Sequence, residues 1–232
     1  MDGGFGARLI DVAGFQISET ILVTWIVMAV LIALAIAARI VLRKFEAVPR
    51  GAQNVIETIV ELITNLTTST MGEENKGHAP FVGTMLIFIA VLNITGLFGF
   101  RPPTADVNTT LGFGIVTLIM MYGSSIMRNG FMGYVKGFLE PIPILLPVNI
   151  IGDLATPISL GFRLFGNVLG GVIIGSLLYG ALGAASNAIG ISIPIFQAVI
   201  PVFAHVYFDL FSGCLQSFIF VMLTMIFITN AM

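Results

Sequence analysis

Charge is scarce in this chain of 232 residues: Asp, Glu, Lys and Arg together make up only 9% of it. A soluble globular protein carries about 25% charged residues. The chain is instead 57% hydrophobic, with a mean hydropathy of +1.03. These values exclude a soluble domain and indicate a protein embedded in a lipid bilayer. The 10 Lys and Arg residues are scattered rather than arranged in a basic stripe, so nucleic acid is not an expected partner.

Cysteine is almost missing as well. The single Cys214 excludes an internal disulfide and a cysteine-ligated metal cluster. The motifs of soluble catalysis do not occur either: there is no Walker loop, GxSxG, HExxH or CxxC pair. We therefore expect that the chain is not an enzyme by itself and that it has no catalytic residue, no cofactor and no metal site.

Long apolar runs fill most of the sequence. Since about 20 apolar residues cross a bilayer, we expect an all-α polytopic membrane protein that forms a single membrane domain. The predicted segments are an outer leader over 1–18, a first span over 21–41, an amphipathic interfacial helix over 52–71, spans over 81–100 and 109–127, and long helices over 147–183 and 193–230. The last two exceed the bilayer thickness if upright, so we expect them to form a long tilted hairpin.

The distribution of basic residues predicts the orientation. Basic residues cluster between Arg39 and Arg50, after the first span, and again between Arg128 and Lys136, after the third. By the positive-inside rule both clusters are cytoplasmic, which leaves the N-terminus outside and the C-terminus in the cytoplasm. Residues 1–20 are acidic rather than basic and do not match a secretory signal or a transit peptide. We expect the inner membrane of a bacterial cell, with an organelle-encoded product as the alternative.

One permanent charge stands in the first long helix. Arg163 is the only Lys or Arg between Pro141 and Met232, and a guanidinium stays protonated at any ordinary pH. At bilayer depth it costs about 2.5–3.5 kcal/mol on insertion scales, so such a residue indicates an ion path, a relay or a counter-ion. Asn167 follows one turn later on the same face.

Small residues surround this arginine. Gly166 and Gly170 are four residues apart, and Gly171 follows directly. Glycines at this spacing are typical of close helix packing. The functional interpretation is a bare face past which the helices of another protein can slide beside Arg163.

The second long helix carries a polar stripe. His205, Asp209, Ser212 and Gln216 lie at i, i+4, i+7 and i+11, which is one face of an α-helix. Inside a membrane such a stripe indicates a wet, proton-conducting wall, because burying these groups in lipid is costly. The alternative is that the stripe satisfies its own hydrogen bonds across the helix pair.

Asp153 precedes Arg163 by ten residues, or about 15 Å along an α-helix. This distance is too long for an ion pair. We interpret Asp153 as part of a polar access path nearer the cytoplasm; the alternative is an acid stabilised by the dipole at a helix N-terminus.

Three segments resemble subunit a of F-type ATP synthases. They are PISLGFRLFGNVLGG (Pro157 to Gly171), PPTADVNTTLG (Pro102 to Gly112) and LQSFIFVMLT (Leu215 to Thr224). The resemblance implies a non-catalytic stator channel subunit beside a ring of c subunits, with peripheral-stalk b subunits and the rest of the ATP synthase as further partners. It would couple proton or Na+ flow to ring rotation and ATP synthesis. A stand-alone secondary ion transporter is the alternative function.

The resemblance also implies roles for individual residues. Arg163 matches the family's essential arginine, which separates two half-channels and attracts the carboxylate of each passing c subunit. Asn167 and Gln216 match polar positions near that arginine. Asp153 matches an acidic position of the cytoplasmic path.

Two positions depart from the family pattern. Many members have a Glu where this chain has Val172, and a His where it has Asp209. We expect His205, one turn from Asp209, to share the relay role. The departures leave the residues of the outer half-channel and the coupling ion open.

Overall fold

The structure is a computed structural model that describes residues 9–12, 15–41, 51–137, 142–188 and 195–232. Parts of the predicted leader (1–8 and 13–14) and the start of the last predicted helix (193–194) lie outside the described residues. The α-helices within the described ranges are α1 (Glu19–Val41), α2 (Ala52–Met71), α3 (Ala79–Ile94), α4 (Val107–Gly137), α5 (Leu146–Ala188), α6 (Ile195–His205) and α7 (Gly213–Ala231).

Five helical stretches of the described chain are long and apolar enough to cross a membrane. They are Glu19–Ile40, Glu73–Phe98, Val107–Tyr134, Pro143–Ser186 and Ile200–Ala231. The predicted all-α polytopic membrane fold is therefore confirmed. Helix α2 is not among these stretches because Glu57, Glu61 and several other polar side chains lie opposite its apolar face. It begins and ends at the bounds of the predicted amphipathic helix.

A 3₁₀ turn, an aspartate and a glycine lie at the ends of α3 and α4. A 3₁₀ turn over Thr95–Phe98 follows α3. The Asp106 carboxylate accepts a hydrogen bond from the backbone N–H of Asn108 at 3.0 Å, which satisfies one of the free donors in the first turn of α4. Gly130 has a φ of 71° and breaks the helical geometry near the end of α4, a conformation that glycine adopts without steric cost.

The two long helices differ from each other. Helix α5 has 43 residues and contains Pro157; at 1.5 Å per residue it is about 65 Å long, roughly twice the hydrocarbon thickness of a bilayer. The last predicted helix is not one regular α-helix, because a π-helical segment over Val206–Ser212 separates α6 from α7. The hydrophobic pattern is continuous through this segment, so it gives no sign of the wider turn.

The leader contains structure that the sequence did not predict. Strands β1 (Leu9–Val12) and β2 (Phe15–Ser18) pair in an antiparallel hairpin, with Leu9 opposite Ser18 and Val12 opposite Phe15. The strands are only four residues long, and LIDV of β1 does not alternate apolar and polar residues, so the pattern does not predict a pair of strands.

The chain divides into two compact units. The first unit draws its described residues from Met1–Thr24, Ile89–Gly114 and Ile158–Phe218, and the second from Trp25–Phe88, Ile115–Pro157 and Ile219–Met232. The core of the first unit contains the buried side chains of Ile89, Leu92, Leu160 and Leu164. The core of the second contains those of Val82, Met85, Met121, Val221, Met225 and Ile228.

Candidate functional site

Arg163 lies on the exposed side of α5. Leu160 and Leu164 on the same helix are buried at 2% and 0% exposure, whereas Phe162 is 51% exposed and Arg163 is exposed beside it. Among the described residues, no side chain or carbonyl forms a hydrogen bond or an ion pair with the Arg163 guanidinium. The helix therefore presents a permanent positive charge away from the core of its own unit.

The glycines near Arg163 do not all have the same surroundings. A Cβ added to Gly166 or Gly170 would meet no described atom within 4 Å, so both leave open space beside the arginine. A Cβ at Gly171 would lie 3.1 Å from Cβ of Phe208, so this glycine makes room for a ring within the first unit. Gly166 and Gly170 thus form the bare face, which lies one and two turns from Arg163.

Asn167 connects α5 with the π-helical segment. Its amide nitrogen donates to Oγ of Ser212 at 2.9 Å, and the Ser212 hydroxyl lies 3.1 Å from the Asn167 amide oxygen. Gln216 is 8% exposed, and its Nε2 has no hydrogen-bond partner among the described residues. A buried amide N–H without a partner costs free energy. Nε2 of Gln216 can therefore donate a hydrogen bond to a further polar group.

His205 and Asp209 are in direct contact. Nδ1 of His205 lies 2.7 Å from Oδ2 of Asp209, and the Asp209 side chain is only 13% exposed. An ionised carboxylate only accepts hydrogen bonds, so with Asp209 ionised the donor in this contact is Nδ1 of His205. Asp209 belongs to the π-helical segment, and such segments are frequent at functional sites.

Tyr179 joins this pair from the other long helix. Its hydroxyl lies 3.3 Å from Nε2 of His205, and the two rings are 5.9 Å apart at a 47° tilt. Both ring nitrogens of His205 are therefore hydrogen-bonded. Nothing in the sequence indicates that a tyrosine of α5 reaches a histidine of α6, so Tyr179 is not among the predicted site residues.

Gly96 provides the space that the Asp209 carboxylate occupies. A Cβ built at Gly96 would lie 2.9 Å from Cγ of Asp209 and 3.0 Å from Oδ2. Both distances are shorter than an ordinary van der Waals contact between such atoms. Gly96 was also missed, since a glycine within an apolar run has no distinctive sequence signal.

A buried hydrogen-bond network holds the start of α7 against α3. The Asn93 amide nitrogen donates to the Gly213 carbonyl and to Oγ of Ser217, both at 2.9 Å. The Thr104 hydroxyl donates to the Asn93 amide oxygen at 2.5 Å. The network saturates an amide that is 2% exposed, which rigidifies the base of the segment carrying Asp209 and Ser212.

Asp153 lines a polar cavity in the second unit. The cavity has a volume of about 540 Å³, and its walls include the side chains of Tyr122, Tyr134, Asn149 and Thr156. The rings of Tyr122 and Tyr134 lie 5.4 Å apart. A cavity of this size with several hydroxyl and amide groups can hold water around the carboxylate.

Comparison with known proteins decides the family. The family model described as ATP synthase A chain matches residues 21–229. The chain belongs to this family of F-type ATP synthase a subunits. The resemblance predicted from the three sequence segments is confirmed. As a family member, the chain is a membrane component of the Fo sector, and it is part of a complex that carries out ion transport and ATP synthesis.

Three curated relatives are similar in sequence to this chain over most of their length. ATP synthase subunit a, sodium ion specific, of Propionigenium modestum is 35% identical over 236 residues, covering 95% of this chain and 76% of the relative. ATP synthase subunit a of Moorella thermoacetica is 34% identical over 215 residues, covering 92% and 90%. ATP synthase subunit a of Desulfosudis oleivorans is 36% identical over 237 residues, covering 98% and 96%.

Proposed function

We propose that this chain is the stator channel subunit of its ATP synthase, non-catalytic by itself, which couples ion flow to the rotation of a ring of c subunits. The observation that carries the proposal is the Arg163 guanidinium. It is a permanent cation on a membrane-spanning helix, exposed beside the open positions Gly166 and Gly170, with no partner among the described residues. We expect a cation so placed to pair with an anion of another subunit.

A membrane carboxylate of each c subunit would supply that anion. Two unit charges 4 Å apart attract each other by about 4 kcal/mol at an effective dielectric constant of 20. The same positive charge repels a proton that would pass Arg163 without the ring. Each elementary charge that crosses the full field exchanges about 2.3 kcal/mol per 100 mV, so a leak at this residue would uncouple ion flow from ATP synthesis.

The polar groups of the two units would form the two half-channels. His205, Asp209, Asn167 and Gln216 of the first unit would form the outer half-channel. Asp153 and its cavity would belong to the cytoplasmic half-channel, where water could reach the carboxylate. This assignment is supported by the hydrogen bonds of His205 and Asp209 and by the cavity around Asp153.

The orientation and the partners belong to the same proposal. The basic residues Arg39, Arg128 and Lys136 would lie in the cytoplasm, with the N-terminus outside and the C-terminus inside. The membrane would be the inner membrane of a bacterial cell, and peripheral-stalk b subunits would hold the chain against rotation. The relative from Propionigenium modestum is named sodium ion specific, so Na+ has to be compared with H+ directly.

ATP-driven ion uptake into membrane vesicles tests the proposal. In Arg163→Ala, coupled uptake should fall on the order of a hundredfold or more, because the attraction lost is about 4 kcal/mol. Arg128→Ala is the matched control: that arginine forms an exposed ion pair with Glu74 at 3.1 Å, which contributes about 1 kcal/mol or less. Its uptake should stay near that of the unmodified complex, and measurements with and without Na+ identify the ion.

Either of two results would overturn the proposal. One is uptake that survives in Arg163→Ala while the complex remains assembled. The other is a chain that purifies alone, without a ring of small two-helix subunits and an ATPase head, and still moves an ion. The second result would support the stand-alone transporter, which no observation on this chain favours.

A further inference from the structure

The hydrogen bonds of His205 connect an exposed group with a mostly buried one. Tyr179 is 39% exposed, and its hydroxyl is 3.3 Å from Nε2 of His205. On the other side of the ring, Nδ1 contacts the Asp209 carboxylate, whose side chain is 13% exposed. The three side chains thus form a continuous series of hydrogen bonds that runs from the surface of the first unit into its interior.

We propose that Tyr179 is a positioning residue for proton passage through His205 and Asp209. The inference rests on the proposed function with H+ as the coupling ion, since it assigns a role within the outer half-channel. Tyr179 lies outside the three segments that resemble the family, and it is not among the predicted site residues.

The phenol hydroxyl of Tyr179 can pair with Nε2 of His205 in either protonation state of the ring. A hydroxyl is both a donor and an acceptor, and it rotates to suit its neighbour. When His205 is neutral, its Nδ1–H donates to Asp209, and Nε2 accepts a hydrogen bond from the Tyr179 hydroxyl. When a proton arrives at Nε2, the new N–H donates to the Tyr179 oxygen instead. Tyr179 therefore keeps Nε2 paired in both protonation states.

This double role matters because the ring lies in a membrane protein. An unpaired polar group away from water costs the full desolvation penalty of that group, and an isolated charge costs more. Without the hydroxyl, each protonation of His205 would leave Nε2 unpaired at one stage. The ring would also lose one of the two bonds that fix its orientation towards Asp209.

The first test compares two Tyr→Phe variants in the intact complex. Tyr179→Phe removes the hydroxyl and should slow ATP-driven uptake about threefold to tenfold, which corresponds to one net hydrogen bond. Tyr207→Phe is the matched control. That residue lies two positions after His205 and stacks on Phe211 at 5.9 Å, and its hydroxyl has no hydrogen bond among the described residues. Its uptake should not change.

The second test measures which ring nitrogen of His205 carries the proton. The chain has only 2 His residues. A chain labelled with ¹⁵N-histidine and assembled into the complex therefore gives two sets of ring signals. The variant His78→Gln lacks one set, which assigns the other to His205. In the neutral ring of the wild type, Nδ1 of His205 should be the protonated nitrogen. The Nε2 signal should shift towards that of a free imidazole nitrogen in Tyr179→Phe and remain unchanged in Tyr207→Phe.

The outcomes separate this inference from the function on which it rests. If Arg163→Ala abolishes uptake while Tyr179→Phe behaves like Tyr207→Phe, the channel function stands and the role of Tyr179 is wrong. If Arg163→Ala still pumps, the proposed function fails first. A wild-type spectrum in which Nε2 of neutral His205 carries the proton contradicts the inference without any Tyr179 variant, including the case in which Tyr179→Phe fails to assemble.

Discussion

The polar site of the first unit and that of the second satisfy their charges in different ways. In the first unit, the Asp209 carboxylate has a defined partner in His205, and His205 has a further partner in Tyr179. In the second unit, Asp153 lines a cavity of about 540 Å³ among several hydroxyl and amide groups. One site is a fixed series of hydrogen bonds, and the other is a space that water can fill.

This difference predicts how sensitive each site is to substitution. Hydrogen bonds weaken steeply when their distance and angle depart from the preferred range, so the series in the first unit fails if one atom moves. Water molecules bridge polar groups at little enthalpic cost, so a hydrated cavity can lose one wall group and still conduct. If the two sites form the proposed half-channels, we therefore expect larger effects on ion uptake from small changes in the first unit than from larger ones in the second.

Gly96→Ala should have the larger effect. The new methyl group would lie 2.9 Å from Cγ of Asp209, and the carboxylate, as the end of a side chain, would move and break its 2.7 Å contact with His205. We expect ATP-driven uptake to fall about tenfold, since the loss of a relay group typically costs at least this much. The melting temperature of the complex should change little.

Gly112→Ala is the control for this substitution. A Cβ at Gly112 meets no described atom within 4 Å, and alanine is favoured over glycine inside a helix by about 1 kcal/mol. Uptake should be unchanged. Equal losses in Gly96→Ala and Gly112→Ala would mean that the position of the Asp209 carboxylate does not limit ion flow.

Asp153→Asn should have the smaller effect. It removes the charge from the cavity but keeps the size of the side chain and leaves Asn149, Thr156 and the two tyrosines in the wall. We expect uptake to fall about threefold or less, because water bridging the remaining groups can still carry the ion. Asp153→Glu, which keeps the charge, should pump at the wild-type rate. A loss in Asp153→Asn larger than that in Gly96→Ala would reverse the comparison.

Much of the fold follows from the sequence. The spans and α2 are long segments with a clear apolar period or run, and this signal is strong where a segment must cross a bilayer. The single positive charge of Arg163 stands out for the same reason, because the residues around it are apolar or small. Composition and charge therefore suffice for the membrane class and for the most unusual residue.

The remaining features depend on contacts that no local pattern encodes. Tyr179 lies 26 residues before His205. Gly96 lies in the 3₁₀ turn after α3, whereas Asp209 lies in the π-helical segment. Only packing therefore brings these groups together. The π-helical segment over Val206–Ser212 changes the turn without changing the composition. The hairpin of β1 and β2 is too short to produce a strand signal.

We expect the face of α5 around Arg163 to meet another subunit in the assembled ATP synthase. Photo-cross-linking in the intact complex tests this most directly. Cys214 is first replaced by alanine, and a cysteine carrying a photoactivatable group is then placed at Gly166, where no described atom lies within 4 Å. Leu164→Cys, at a position that is 0% exposed, is the control.

We predict that Gly166→Cys cross-links to a small two-helix subunit whose membrane helix carries a carboxylate, and that Leu164→Cys does not. If Gly166→Cys in an assembled complex yields adducts only with lipid or with its own chain, the Arg163 face does not meet the ring, and the proposed function is wrong.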